Sequence, residues 1–346
     1  MVLWKRIWRF LGLAIAALGL ALTLNNCSAS PPSNAPNSPA AEASPTSHAG
    51  SGHGRTAKLI NINTAILSEL DKLEALLGVP SLSHQIQSSR PYASVDDLVS
   101  KNVLKPEQLA KVRDLLTTQE IVLSGRAKDV DYLVKLGLMK GHLLVARELL
   151  DRQLPKKAEP HIGHPIEEIY VDISDQLTER QGPTDLKDLL LRLQDLVKSK
   201  PNDPELKTTL AKSLAAIDQA IAVLPATERQ SPGFVLEAID GLLDTAASEY
   251  GAAISNGRFA AEIEYQDSRG FVQYAKDGLL PSIAPALTTK DAALAKDLTA
   301  KLDTLYKAWP DPVPPAAPIV TSDALTAQIK AIQKASAPIV QADSQS

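Results

Sequence analysis

A chain of 346 residues is long enough for about two domains with sizeable cores. Its formal net charge of −4, with no concentrated basic block beyond the N-terminus, gives no overall argument for a nucleic-acid partner. Aromatics make up only 4%, Ala and Leu are abundant, and apolar residues recur at three-to-four spacing rather than alternating, so the class expected is all-α.

The N-terminus reads as an export signal. Lys5, Arg6 and Arg9 precede an apolar run from Leu11 to Leu24, which is short for a spanning helix and right for a signal core. The only cysteine, Cys27, follows in Leu24-Asn25-Asn26-Cys27-Ser28, which resembles a bacterial lipoprotein cleavage site, although Asn26 stands where a small residue is usual. The resemblance implies lipidation of Cys27 and a membrane anchor on the periplasmic face. An uncleaved anchor, with Trp4 and Trp8 at the interface, and ordinary signal cleavage are the alternatives. Residues 1–27 are thus assigned to a signal and lipoprotein segment. Residues 28–57, rich in Pro, Ser, Ala, Asn and Gly, lack the apolar side chains to offset the entropy of folding and are assigned to a tether.

Residues 58–124 form a predicted small domain. Leu59-Ile60-Asn61-Ile62-Asn63-Thr64-Ala65 opens it, Leu70, Leu73 and Leu77 continue, and Leu77-Gly78-Val79-Pro80 and Pro91-Tyr92-Ala93-Ser94-Val95-Asp96-Asp97 follow, with a last run from Gln108 to Leu116. This pattern resembles the tandem helix-hairpin-helix of competence DNA receptors of the ComEA type. Its Pro91 to Asp97 segment is also similar to the PsbU-type extrinsic subunit of photosystem II. The first resemblance implies double-stranded DNA as partner and a role in DNA uptake. Lys101, Lys105, Lys111 and Arg113 would then be phosphate contacts, with backbone N–H groups near Gly78 and Asn102. The second implies a protein-docking or assembly role. The hairpins depart from the DNA-binding pattern, since Pro80 has no N–H to donate and Leu104 stands where a second glycine belongs.

Residues 125–308 are predicted to form an antiparallel helical bundle, with helices near 128–153, 165–180, 184–198, 204–223, 234–254, 257–276 and 291–308. Pro201, Pro225, Pro232, Pro281 and Pro285 punctuate the connections. Leu206, Leu210, Leu214, Ile217 and Ile221 show the buried stripe most plainly. Residues 309–346 read as a Pro-rich linker, a weak helix at 322–336 and a polar tail.

One cluster in the bundle carries ligand chemistry. In Pro160-His161-Ile162-Gly163-His164-Pro165-Ile166-Glu167-Glu168, Pro165 suits a first helical position, with His164 as cap and Glu168 in the first turn. His142 shares a helix face with Leu138, Val145 and Leu149, and Gly141 beside it permits close approach of a neighbouring helix. His142, His161, His164 and Glu168 therefore form a candidate transition-metal set, against the alternative of capping and a hydrogen-bonded core histidine. Glu264 and Asp267 share a face of a later helix and repel unless Arg269, Lys276 or a cation neutralises them. If they fold against His161 and His164, the metal reading strengthens. No nucleophile is paired with a base, so no enzyme and no resident cofactor are expected beyond that metal. Three functions stand: a DNA receptor, a docking protein and a periplasmic metal-binding bundle.

Overall fold

Leucine, isoleucine and alanine at helical spacing, with charged residues between them, leave each segment one apolar face that only another helix can cover. The computed structural model describes residues 59–345, which lie within one compact unit, Thr56–Ser346. The all-α class holds: apart from two pairs of two-residue strands, the regular structure is helical.

Strand β1 (Ile60–Asn61) leads into α1 (Leu67–Leu77), α2 (Leu82–Ser88), α3 (Asp97–Ser100) and α4 (Pro106–Val112), and a 3-10 turn at Arg113–Leu115 returns the chain to β2 (Leu116–Thr117). The strands pair in parallel, Ile60 against Leu116 and Asn61 against Thr117. Ile62, Leu70, Leu73, Leu82, Ile86 and Leu98 are fully buried at the centre of this segment. Arg90 closes its start by donating to the carbonyls of Ile62 (2.8 Å) and Ala65 (2.5 Å). Helix α1 also packs along a bundle helix introduced below, α12 (Pro232–Ala252). The approach is close: a Cβ on Gly251 would lie 2.9 Å from that of Ala75.

The bundle begins with α5 (Gly125–Asp151), whose Leu136, Met139, Leu143, Ala146 and Leu149 are buried on all sides. Helices α6 (Pro155–Ala158) and α7 (Pro160–His164) run on through a π turn at Pro165–Tyr170 into α8 (Val171–Glu179). Then come α9 (Leu186–Ser199), α10 (Glu205–Ala222), the short α11 (Ala226–Arg229) and α12. A hairpin of β3 (Ile254–Ser255) and β4 (Arg258–Phe259) precedes α13 (Glu262–Tyr274), a second π turn at Ala275–Leu279, α14 (Leu280–Lys290), α15 (Ala292–Tyr306) and α16 (Ser322–Ser344). Helix α13 packs on α5 and α12, and α16 lies along α12.

Several boundaries differ from the sequence reading, each for a local reason. The helix expected from Pro165 starts at Pro160, because the wider π turn accommodates a proline that has no N–H to give. His164 is consequently inside the helix, at φ −53° and ψ −46°, and not its cap. The helix expected from 257 starts at Glu262, because Asn256 and Gly257, at φ 51° and 71°, make the positive-φ turn of a hairpin. Pro281 and Pro285, read as breaks, lie within α14, Pro281 just after the second π turn and Pro285 a turn further along the helix. The final helix runs past 336 and over Pro338 to Ser344, since Leu325, Ile329 and Ile332 bury against the bundle.

Candidate metal centre

The centre is built where two helices touch backbone to backbone. A Cβ on Gly270 of α13 would overlap the carbonyl of Gly141 in α5, and one on Gly141 would lie 2.7 Å from the Phe271 ring. Only glycine permits that contact. The crossing sets His142, the residue after Gly141, opposite Asp267, one turn before Gly270.

Asp267 is the hub. Its Oδ1 lies 2.6 Å from His142 Nδ1 and 2.6 Å from His161 Nδ1, and its Oδ2 lies 3.4 Å from His164 Nδ1. Asp267, His142 and His161 are fully buried, while His164 is partly open. The His142 ring meets His164 edge-on with centroids 5.5 Å apart, and meets Phe271 edge-on at 5.0 Å. The sequence reading placed His142, His161 and His164 together, and the fold brings all three to one carboxylate, contributed by a helix more than a hundred residues downstream.

The three imidazoles are not equivalent. Gln266 donates its amide hydrogens to the carbonyl of Pro312 (2.9 Å) and to Glu262 (3.1 Å), which turns its Oε1 toward His161 Nε2 at 2.8 Å. An amide oxygen only accepts, so Nε2 donates, and Nδ1 is engaged with Asp267. His161 thereby orients Asp267, as partners behind a metal ligand do. Candidate ligand atoms of His142, His164 and Asp267 lie within 4.8 Å of one another, a set of two imidazoles and one carboxylate. Glu168 stands one turn from His164, but its Oε2 accepts the N–H of Leu67 at 3.0 Å, at the start of α1. Helix α1 thus covers this side of the centre.

The electrostatics follow from burial and mutual proximity. Burial pushes the Asp267 carboxyl up, yet the facing His142 and His161 outweigh it and hold the group well below the usual carboxylate range. Burial lowers His142 despite Asp267. For His164 burial also opposes the charge, but the hydrogen bond and charge of Asp267, with Glu168 and Glu264, push it up to about 9. Burial raises Glu168 and Glu264. Neither Arg269 nor Lys276 neutralises Asp267: Arg269 pairs with Glu148 at 2.8 Å, and Lys276 with Asp277 at 2.5 Å. Ionised carboxylate and convergent imidazoles in a dry setting suit a borderline divalent transition ion that displaces the imidazole protons.

Asp267 was absent from the candidate ligand set drawn from the sequence. The signal for it was the acidic run from Glu262 to Asp267 followed by Gly270, a small residue at helical spacing that mirrors Gly141.

The residues assigned to DNA contact are placed elsewhere. Gly78, at φ 62°, donates its N–H to the Glu74 carbonyl at 2.8 Å, and Asn102, at φ 57°, donates to the Val99 carbonyl at 2.9 Å. Lys101 donates to the carbonyls of Ser89 (2.8 Å) and Pro91 (2.7 Å), and Arg113 pairs with Asp96. Lys105 and Lys111 are exposed. Cys27 lies outside the described residues. Among the described residues, no helix is long and apolar enough to cross a membrane.

A family model described as an iron permease-associated 4-helix bundle domain matches residues 225–343. That segment runs from α11 to α16 and contains Glu249, Glu264 and Asp267; the three histidines lie upstream of it. No curated protein and no solved structure matches the chain. The match corrects the expectation of a ComEA-type receptor: the matching domain is described as iron permease-associated, and it gives no support to a helix-hairpin-helix, to DNA uptake or to a double-stranded DNA partner. The hairpin N–H groups and two of the assigned cations are also spent on partners within the fold. The physical reason is the one visible in the altered hairpins, where Pro80 removes a donor, Lys101 is spent on backbone carbonyls and Arg113 on Asp96.

Proposed function

We propose that this protein binds a divalent first-row transition ion, ferrous iron foremost, at His142, His164 and Asp267, and carries it in association with an iron permease. The observation that supports this reading most is the buried Asp267 carboxylate facing three imidazoles with two ring nitrogens within 2.6 Å. The iron-permease description of the family matched at 225–343 supports iron as the cargo. Two imidazoles and a carboxylate are a donor set that ferrous iron takes readily, and zinc, cobalt and manganese compete for it. His161 and Gln266 position Asp267, and Glu168 and Glu264 add negative potential that favours a cation.

The ion is cargo, and the protein's part is to hold it dry and release it. Export by the N-terminal signal and lipidation at Cys27 would tether the carrier at the periplasmic face of a membrane, beside the permease it serves. Replacing Cys27 with serine in cells fed labelled palmitate should abolish labelling; retained label would remove the lipoprotein assignment.

The test of the centre is calorimetric titration of the protein with Fe²⁺ under anaerobic conditions, and with Co²⁺, whose ligand-field spectrum reports coordination. One equivalent should bind, and Asp267→Asn should weaken it by about 100-fold or more. Binding by Asp267→Asn within about threefold of the unsubstituted protein would displace the site from this hub.

A further inference from the structure

Beside the centre, two carboxyl groups face each other across the contact between α1 and α12. Asp71 and Glu249 are both buried and lie within hydrogen-bond reach of one another. Ser83 of α2 and Ser68 of α1 lie beside the pair, and the Ser83 hydroxyl is donated to Glu74 at 3.2 Å. The other charged groups facing the pair are acidic: Glu74 on α1, and Glu264 and Asp267 on α13. Glu74 is held by the N-terminus of α2, accepting the N–H of Ser81 at 2.7 Å and that of Ser83 at 3.3 Å. Asp71 and Glu249 have no such donors from a helix end among their partners. Two adjoining buried carboxylates cannot both be ionised, so the pair must share a proton.

We propose that the Asp71–Glu249 pair is a proton-operated latch that seats α1 on the bundle and unseats it when the shared proton is lost. The helices approach closely beside the pair, where a Cβ on Gly251 would lie 2.9 Å from that of Ala75, which leaves little room to separate two charges. Burial pushes both carboxyls well above their ordinary range; Asp71 and Glu264 raise Glu249 further, and Glu264 and Glu74 do the same for Asp71. Folded-state values raised in this way make the seated form the one that binds more protons, so seating is complete at low pH and weakens as pH rises. Unseating α1 also withdraws the Leu67 N–H from Glu168, one turn from His164. The latch stands on its own; its consequence, an opened centre with a freed carboxylate, rests on the function proposed above.

Hydrogen–deuterium exchange of the metal-free full chain in detergent micelles tests the latch apart from any metal. Protection of α1, corrected for intrinsic rates, should fall by roughly tenfold per pH unit once the shared proton leaves, while α10 stays flat. Asp71→Asn or Glu249→Gln supplies a permanent amide donor to the remaining carboxylate, so α1 protection in either variant should become independent of pH. The same pH profile for α1 and α10 in the unsubstituted chain would overturn the proposal, as would an undiminished slope in both variants. If a variant loses α1 at every pH, the comparison of α1 with α10 in the unsubstituted chain decides alone.

Discussion

Three imidazoles around one buried carboxylate make His164 the residue where protonation would compete with the proposed metal. Its folded-state value is raised to about 9, so in metal-free protein its pairing with Asp267 adds stability that is full below about 6.5, the ordinary histidine value, and lost as pH rises through about 9. Thermal unfolding followed across that window should show the decline, and His164→Gln should flatten it. An unchanged slope in the variant would assign the effect to another group. The proposed ion would need His164 deprotonated, so apparent metal affinity should rise over the same interval. His142, His161 and His164 were legible as candidate ligands because imidazoles in an Ala- and Leu-rich chain are few and conspicuous. Their different roles were not legible, since Gln266 and Asp267 reach them only by folding.

At the scale of elements, the centre depends on how closely α5 and α13 cross. Gly270→Ala forces a methyl into the Gly141 carbonyl, which should cost about 1–3 kcal/mol and weaken metal binding by moving Asp267 away from His142. A Gly270→Ala protein of unchanged melting temperature and metal affinity would show that the crossing has room to relax. Gly141 was readable in advance as a place of close approach, whereas the partner at Gly270 was not, because nothing local states which helix comes to meet it. Both π turns were missed for a related reason. Prolines at 165, 281 and 285 argue for breaks on local grounds, but apolar contacts on either side keep the chain helical, and Pro165 and Pro281 each adjoin a widened turn. The hairpin at Asn256-Gly257 does carry a local signal, an Asn-Gly pair at positive φ between two short strands.

For the whole molecule, the last helix is what completes the segment that matches the 4-helix bundle domain. Asp343, near its end, accepts the N–H of Gly233 at 2.8 Å and the hydroxyl of Ser231 at the start of α12, and it also pairs with Lys290. Asp343→Ala should therefore lower stability by about 0.5–2 kcal/mol, as loss of a helix cap does, with metal affinity unchanged. Calorimetric unfolding and metal titration on the same sample separate the two outcomes, and a loss of affinity without loss of stability would contradict the capping role. Helix α12 thus has its N-terminus held by the end of the chain and its C-terminal half, at Glu249, held by α1.

By itself the sequence determined the all-α class and most helix positions, and it offered His142, His161, His164 and Glu168 as a candidate set, because periodicity and residue type are local properties that survive without a fold. The hub carboxylate, the glycine crossing that aims it, the partner that occupies His161 and the acid pair beneath α1 were decided only by the tertiary structure. Each joins residues far apart in the chain: Asp267 lies 125 positions from His142 and 106 from His161. What brings such residues together is the burial of apolar faces on separate helices, a cooperative result that no single segment encodes. The resemblance in 58–116 misled for the same reason: local pattern set the short helices, while the surroundings decided what those helices contact.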